Sequence, residues 1–247
     1  MVVNNLLLVK FGSYKEMCRK IAGEISELLQ ENPEALLCIA AGHTSLGLFE
    51  CLAQLYEEGG IDFKNVRFVA MDEWLGMSEQ NPNSCGDFLN RNFFNRLNFD
   101  PENIRLFNGA TGDHEKECRE VAHFIKENSK YGVIDFLVLG TGMNGHLGLN
   151  EPGCDLEAGV SVVELDETTK AVGQKYFDEE TPLSGGITLG IGDFAQARRS
   201  VLMISGSHKR EILQKILEGP VNNMVPATAI HGFNNANIYC DRDAYGR

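Results

Sequence analysis

The sequence lacks a leader peptide pattern and any long uncharged apolar run. Residues 1–10 are largely apolar, but no basic region precedes them and the polar stretch 12–20 follows at once, which does not suit a signal peptide. No segment approaches the roughly 20 apolar residues that a membrane-spanning helix needs. We therefore expect a cytoplasmic protein.

Cysteine is present, but not in a pattern that builds a metal site or a disulfide framework. The seven cysteines are an odd number, lie far apart, and include no CxxC pair and no neighbouring histidine cluster. Scattered thiols are typical of a reducing cytosol, whereas zinc ligands usually come in close pairs. The sequence predicts reduced thiols and no metal site.

Positive charge is scarce, since 22 Lys and Arg face 35 Asp and Glu and the formal net charge is -13. Nucleic acids and anionic membranes bind concentrated cationic surfaces, so neither is expected as a partner. A small anionic substrate is still compatible with this charge, because local backbone N–H groups and one or two cations can hold a phosphate.

Apolar runs of strand length alternate with amphipathic stretches of helix length. The predicted strands are 6–10, 36–40, 66–70, 134–139, 187–189, 201–205 and 237–240, and the predicted helices are 13–30, 45–57, 85–97, 115–129 and 208–217. Continuously apolar strands joined by right-handed crossovers predict an α/β fold: a doubly wound, mostly parallel sheet with helices on both faces in three αβα layers. The length and the lack of repeats predict a single domain over 1–247.

The segment 152–185 departs from this alternation, because it is acidic, poorly periodic and longer than an ordinary connection. We interpret it as a lid segment that follows the main catalytic loop. In open α/β sheets ligands bind at the carboxyl ends of the strands. The residues directly after each strand are therefore the candidates for a functional site.

Two strand-to-helix turns are candidates for binding phosphate. Gly42, His43 and Thr44 open a helix, where free N–H groups and the helix dipole attract an anion. Such a turn with a Thr or Ser cap also serves ordinary folding, so both interpretations stand. Lys209 lies at another helix start, where its charge opposes the dipole; either an anion compensates it or the lysine is simply solvated.

Two further junctions carry ionisable side chains. Asp72 and Glu73 precede Trp74 after a strand; they either cap a helix or, in a partly apolar cleft, provide a base with a raised pKa. The loop 140–153 is rich in glycine, including Gly142 and Gly145, and carries the polar residues Asn144, His146 and Glu151. A lone histidine is usually structural, but a nearby glutamate in such a loop favours an acid/base pair.

At these residues the sequence resembles the glucosamine-6-phosphate deaminase/isomerase family, which includes galactosamine-6-phosphate isomerases and is related to 6-phosphogluconolactonases. The resemblance covers nearly the whole chain, and the block Asn-Gly-His-x-Gly-x-Asn-Glu-Pro-Gly is its most specific part. The other matching blocks are 71–74, 81–85, 187–192, 205–209 and 225–228. The resemblance implies an enzyme that isomerises and deaminates a hexosamine 6-phosphate, with no metal or organic cofactor.

The resemblance also implies roles for individual residues. Asp72 would remove the C2 proton, while His146 with Glu151 would promote opening of the sugar ring. Asn144 would be a further catalytic residue of the same loop. The phosphate would bind Gly42, His43, Thr44 and Lys209, with Lys175 standing where the family has a lid arginine. Glu73, Trp74, Gly142 and Gly145 would complete the substrate pocket.

Trp74, Cys85 and the block 186–190 look more like the galactosamine-6-phosphate branch, although sequence alone leaves the epimer open. Two alternatives remain: a 6-phosphogluconolactonase, which needs no C2 base, and a non-catalytic sugar-phosphate sensor, which would want a helix-turn-helix extension and eroded catalytic residues. The oligomeric state is also open, with a homo-oligomer as one alternative.

Overall fold

In the computed structural model, residues 6–177 and 179–246 are described, and they fold into two β-sheets with helices around them. The strands in chain order are β1 (Leu7–Phe11), β2 (Leu36–Ile39), β3 (Arg67–Val69), β4 (Asp72–Trp74), β5 (Ile104–Arg105), β6 (Phe136–Leu139), β7 (Ser161–Glu164), β8 (Gly185–Thr188), β9 (Ser200–Ile204) and β10 (Ala236–Asp241). The larger sheet has the order β1-β10-β9-β6-β2-β3-β5 and all its neighbours are parallel. The smaller sheet, β4-β8-β7, is antiparallel.

Several of the described helices begin at a capping side chain. They are α1 (Tyr14–Glu31), α2 (Leu46–Glu57), α3 (Cys85–Asn92), α4 (His114–Glu127), α5 (Glu167–Gly173), α6 (Ile191–Gln196), α7 (Arg210–Glu218) and α8 (Arg242–Tyr245). The side chains of Ser13, Ser84 and Asp113 each accept a backbone N–H in the first turn of α1, α3 and α4. Short 3-10 turns stand before α2 and α7 and after α5. None of the described helices is long and apolar enough to cross a membrane.

The path of the chain explains the layers. From β1 at one edge it crosses to β2, moves outward to β3 and β5, and then returns through β6, β9 and β10. With right-handed crossovers, the helices of the outward half cover one face and those of the returning half cover the other. This confirms the predicted three-layer fold. The direction reverses between the neighbours β2 and β6, and such a switch point leaves a crevice at their carboxyl ends.

The second sheet differs from the prediction. The segment 187–189 was expected in the parallel sheet, but Ile187 and Thr188 belong to β8, which pairs antiparallel with β4 and β7. The short, acidic β4 and the β7 strand, whose residues alternate between half-buried and exposed, carry no continuous apolar run, and neither was predicted. Asp72 therefore lies at the start of a strand and not in a loop.

The segment 152–185 contains more regular structure than expected of an irregular lid. It provides β7, α5, the 3-10 turn Gln174–Tyr176 and the first residue of β8, while Asp178 lies outside the described residues. The helix predicted over 85–97 is also shorter, because α3 ends at Asn92 and a 3-10 turn (Phe94–Arg96) follows.

Candidate active site

A cavity of about 750 Å³ opens at the carboxyl ends of β2 and β6 and reaches the segment 152–185. It brings together most of the residues singled out in the sequence: Gly42, His43, Thr44, Asp72, Trp74, Gly142, Asn144, His146, Lys175 and Lys209. Glu73, Gly145 and Glu151 are not among its lining residues. The switch point of the sheet is thus where the candidate chemistry collects.

Asp72 is a buried carboxylate in the cavity wall. Burial and the negative charge of Glu73 raise the pKa of Asp72 to about 7, while a hydrogen bond from the Cys85 thiol acts in the opposite direction. A carboxyl group that loses its proton near neutral pH is suited to general base catalysis.

Glu73 lies away from the cavity, contrary to the expectation that it forms part of the pocket. Successive side chains of a strand point to opposite faces, so Asp72 and Trp74 reach the cavity and Glu73 does not. Its carboxylate accepts the backbone N–H groups of Trp74, Cys85 and Gly86 at 2.9, 3.0 and 2.9 Å. Glu73 therefore holds the start of α3 against β4.

His146 is held in the loop after β6 by a short network. Its Nδ1 lies 3.4 Å from Glu151 Oε2 and 3.1 Å from Thr169 Oγ1. Gly142 leaves room for the ring, because a Cβ at this position would overlap the imidazole. The side chain of His146 faces the cavity from this position.

Glu151 lies behind His146 and is buried. Burial raises the pKa of this carboxyl, but the hydrogen bond and charge of His146, with hydrogen bonds from Thr169 and Asn144, outweigh it and leave the pKa below its ordinary value. Asn144 Nδ2 donates to Glu151 Oε2 at 2.8 Å, and Asn144 Oδ1 accepts the His146 N–H at 3.2 Å. Asn144 therefore fixes the carboxylate relative to the imidazole.

Gly145 serves the shape of this loop. Its φ of +89° lies in the left-handed region, and a Cβ there would press on Val225 and Ile212. It supports the loop from behind the cavity, which is why it is absent from the lining.

The turn after β2 is fixed by a residue that sequence reasoning missed. Tyr14 Oη, on α1, donates to the carbonyl of Thr44 at 2.8 Å and accepts the N–H of Gly47 at 2.8 Å. Gly47 is needed there, because a Cβ would collide with the Tyr14 ring. No local signal marks this contact, since Tyr14 lies 30 residues before Thr44 and reads as an ordinary first-turn helix residue.

Lys209 reaches into the cavity from the turn after β9. Its Nζ donates to the Thr141 carbonyl at 2.7 Å. Burial, followed by the charge of Lys175, lowers the pKa of Lys209 to about 8. An ammonium group whose charge is disfavoured by burial and by a second ammonium group provides a place where an anion is stabilised.

Tyr176 joins the segment 152–185 to the turn after β2. Its ring stacks on His43 with centroids 5.1 Å apart, and Lys175 Nζ lies 4.9 Å from the centroid of the same ring. Burial raises the pKa of Tyr176 to about 12, so its hydroxyl stays protonated. Tyr176 and Thr169 were not singled out in the sequence, because their segment shows little periodicity.

Comparison with known sequences identifies relatives over almost the full length. The family model described as glucosamine-6-phosphate isomerases/6-phosphogluconolactonase matches residues 12–239. The glucosamine-6-phosphate deaminase of Thermoanaerobacter sp. (strain X514) is 37% identical over 94% of this chain and 91% of its own. Glucosamine-6-phosphate deaminase 1 of Bacillus subtilis (strain 168) is 32% identical over 94% of this chain and 95% of its own.

Solved structures show the same architecture. A monomeric glucosamine-6-phosphate deaminase superposes with a TM-score of 0.92 at 31% identity, covering 97% of this chain and 98% of its own. The 6-phosphogluconolactonase of Thermotoga maritima superposes with a TM-score of 0.74 at 21% identity, covering 96% and 98% of the two chains. At that lower identity the likeness concerns the fold.

Proposed function

Because the chain belongs to the family of glucosamine-6-phosphate isomerases and 6-phosphogluconolactonases, we propose that it converts a hexosamine 6-phosphate and water to a ketose 6-phosphate and ammonia. One observation carries this proposal: the buried carboxyl of Asp72 and the imidazole of His146 face one cavity that also receives Lys175 and Lys209. A base, an acid/base group and two cations are what the reaction of a phosphorylated amino sugar requires.

Binding begins with the phosphate in this proposal. The N–H groups of the turn at Gly42–Thr44, together with Lys209 and Lys175, hold the substrate phosphate. Binding energy from this group, which takes no part in the reaction, fixes the sugar for the chemical steps. The hydrogen bond from Lys209 to Thr141 and the stacking of Tyr176 on His43 support this arrangement.

The chemistry then divides between two groups. His146 accepts the proton of the anomeric hydroxyl and returns it to the ring oxygen as the C1–O5 bond breaks, which gives the open-chain aldehyde. Asp72 removes the C2 proton while the aldehyde oxygen takes a proton from the ammonium group, which gives an enolamine. The protonated Asp72 then returns its proton to C1 of the enolamine. The C2 iminium that remains adds water and releases ammonia. All of these steps use side chains of this chain and water.

The carboxyl of Asp72 favours the deaminase over the lactonase alternative. Hydrolysis of a lactone needs activated water and a phosphate site, but it needs no base at C2. A buried carboxyl with a pKa of about 7 supports removal of a carbon-bound proton. The intact Asp72 and the His146–Glu151 pair also favour turnover over a sensor that binds sugar phosphate without reaction.

Two epimers are candidates for the substrate. The relatives named as glucosamine-6-phosphate deaminases support glucosamine 6-phosphate. Trp74 and Cys85, which both line the cavity beside Asp72, support galactosamine 6-phosphate through their likeness to that branch. The sugars differ in the orientation of one hydroxyl, so the preference will appear in kcat/KM.

The deciding experiment measures ammonia and ketose phosphate together, with glucosamine 6-phosphate, galactosamine 6-phosphate and 6-phosphogluconolactone as substrates. We expect equal amounts of both products from at least one hexosamine phosphate, and loss of both in Asp72→Asn. Hydrolysis of the lactone without ammonia release from either hexosamine phosphate would contradict the proposal. The ratio of kcat/KM for the two hexosamines assigns the epimer.

A further inference from the structure

Thr169 is a buried residue of α5 that contacts the acid/base pair from the segment 152–185. Its Oγ1 lies 3.1 Å from His146 Nδ1, which is closer than the 3.4 Å between that nitrogen and Glu151 Oε2. The Thr169 side chain also contributes to the lowered pKa of Glu151. The Thr169 hydroxyl and the Glu151 carboxylate therefore lie beside the same imidazole nitrogen.

These contacts distinguish the two ring nitrogens of His146. Thr169 and Glu151 both lie at Nδ1, and none of the hydrogen bonds among the described residues uses Nε2. A hydroxyl can accept one hydrogen bond while it donates another. If Nδ1–H donates to Thr169 Oγ1, the hydroxyl proton is free to point at the Glu151 carboxylate. This arrangement places the lone pair of the imidazole on Nε2, the nitrogen available to substrate.

We infer that Thr169 is a positioning residue that bridges His146 to Glu151 and holds the imidazole in the tautomer with a basic Nε2. The inference rests on the proposed function, because it concerns the ring-opening step. During that step Nε2 takes the proton from the anomeric hydroxyl and gives it to the ring oxygen. The Nδ1 proton stays in its hydrogen bond, so Thr169 gains and loses no proton overall.

Thr169 comes from a different segment of the chain than the rest of the network. The other members of the network, Asn144, His146 and Glu151, come from one loop after β6, whereas Thr169 comes from α5 of a separate segment. The same segment carries Lys175 and the ring of Tyr176 that stacks on His43. The segment that contributes Thr169 to the acid/base network therefore also contributes Lys175 to the cavity.

The first test compares two substitutions of Thr169. Thr169→Val keeps the shape but removes the hydroxyl, and kcat for the hexosamine phosphate should fall about 10- to 100-fold, below the full contribution of an acid/base group. Thr169→Ser restores the hydroxyl and should recover most of the lost turnover. Thr181→Val is the matched control, because Thr181 lies in the same segment and its hydroxyl donates to Glu179 O at 3.0 Å.

The second test asks whether Thr169 acts through His146. In a double-mutant cycle, Thr169→Val should cost little further kcat in the His146→Gln background, since residues acting as one unit are not additive. Binding of the reduced open-chain 2-amino-2-deoxyhexitol 6-phosphate, which needs no ring opening, should change less than about three-fold in Thr169→Val.

The outcomes separate the inference from the proposed function. Wild-type kcat in Thr169→Val, failure of Thr169→Ser to recover turnover, or full additivity with His146→Gln would overturn the inference while wild-type ammonia release upholds the function. An equal loss of hexitol phosphate binding and of kcat would show that Thr169 only packs the segment, and would also overturn it. A wild-type enzyme that releases ammonia from neither hexosamine phosphate contradicts both.

Discussion

Lys175 and Lys209 bring two positive charges to one cavity from separate parts of the chain, and the charge of Lys175 adds to burial in lowering the pKa of Lys209. Among the described residues, no carboxylate lies within 4 Å of the ammonium group of either lysine. Bound phosphate would relieve this repulsion and raise the pKa of Lys209 again. Affinity for a phosphorylated sugar should therefore depend on both residues and on pH.

The first prediction concerns Lys209→Ala. We expect KM to rise about 10- to 100-fold with a smaller change in kcat, since a charge-assisted contact contributes ~1.5–3 kcal/mol. In the wild type, KM should rise above about pH 8, because Lys209 then loses its proton before substrate binds. Lys175→Ala should move this alkaline rise to higher pH. Steady-state kinetics between pH 6.5 and 9.5 checks the shifts, and an unchanged KM in Lys209→Ala would remove this residue from the site.

The second prediction concerns Asp72. The base works as a carboxylate, so kcat/KM should fall as pH drops through about 7, where Asp72 takes up its proton. Glu73→Gln removes a charge that raises this pKa and should move the acid limb to lower pH, whereas Cys85→Ala removes a hydrogen bond that lowers it and should move the limb upward. Comparison with wild type cancels the titration of the substrate phosphate.

Asp72→Asn provides the direct test of the same role. Turnover should fall about 100-fold or more while substrate affinity stays near normal. Exchange of the C2 hydrogen with deuterated solvent, followed by NMR, should stop in this variant. If exchange continued at the wild-type rate, Asp72 could not be the base, and Glu73 or Glu151 would have to be tested.

The third prediction separates the structural role of Glu73 from that of its neighbour. Glu73→Gln weakens acceptance of three backbone N–H groups, because an amide offers one oxygen and two donors where the carboxylate offers two oxygens. We expect a loss of about 1–3 kcal/mol in the free energy of unfolding, measured with urea. Glu127→Gln, at an exposed site of α4, is the control and should change this free energy little.

The fourth prediction uses the space beside His146. Gly142→Ala places a Cβ where the imidazole lies, so the ring must move and kcat should fall by at least about ten-fold. The far-UV circular dichroism should keep its wild-type form, since Gly142 is half-buried in the cavity wall and belongs to no helix or strand. Gly23→Ala in α1, where a Cβ meets no atom within 4 Å, is the matched control. Wild-type kcat in Gly142→Ala would mean that the ring position is not critical.

The sequence predicted the parallel sheet because its inner strands are continuously apolar. Leu36–Ile39 and Phe136–Leu139 are fully buried on both faces, and such runs separate clearly from the amphipathic helices between them. The smaller sheet was not predicted, because its strands are short and β4 begins with two acidic residues. Pairing between β4, β7 and β8 joins parts of the chain far apart in sequence, which local periodicity cannot show.

The candidate site was predictable where one loop or one turn contains its chemistry. Asn144, His146 and Glu151 lie within eight residues, and the structure joins them in one network. Contacts between distant segments were not predictable: Tyr14 on the Thr44 turn and Thr169 on His146 each depend on tertiary packing. Glu73 was assigned to the pocket because the strand β4 was not predicted. Without that strand, the sequence does not show which of the two adjacent acids points to the cavity and which points to the opposite face.

The pairing of β4 with β8 has a mechanical consequence. Asp72 stands opposite Thr188, and β8 pairs in turn with β7, so the base shares one rigid frame with the two strands that flank α5. A displacement of β4, β7 and β8 together would move Asp72 relative to the other residues of the cavity. A displacement of α5 and the turn Gln174–Tyr176 alone would open the cavity and leave Asp72 in place, because these elements lie between β7 and β8 in the chain and outside the paired strands.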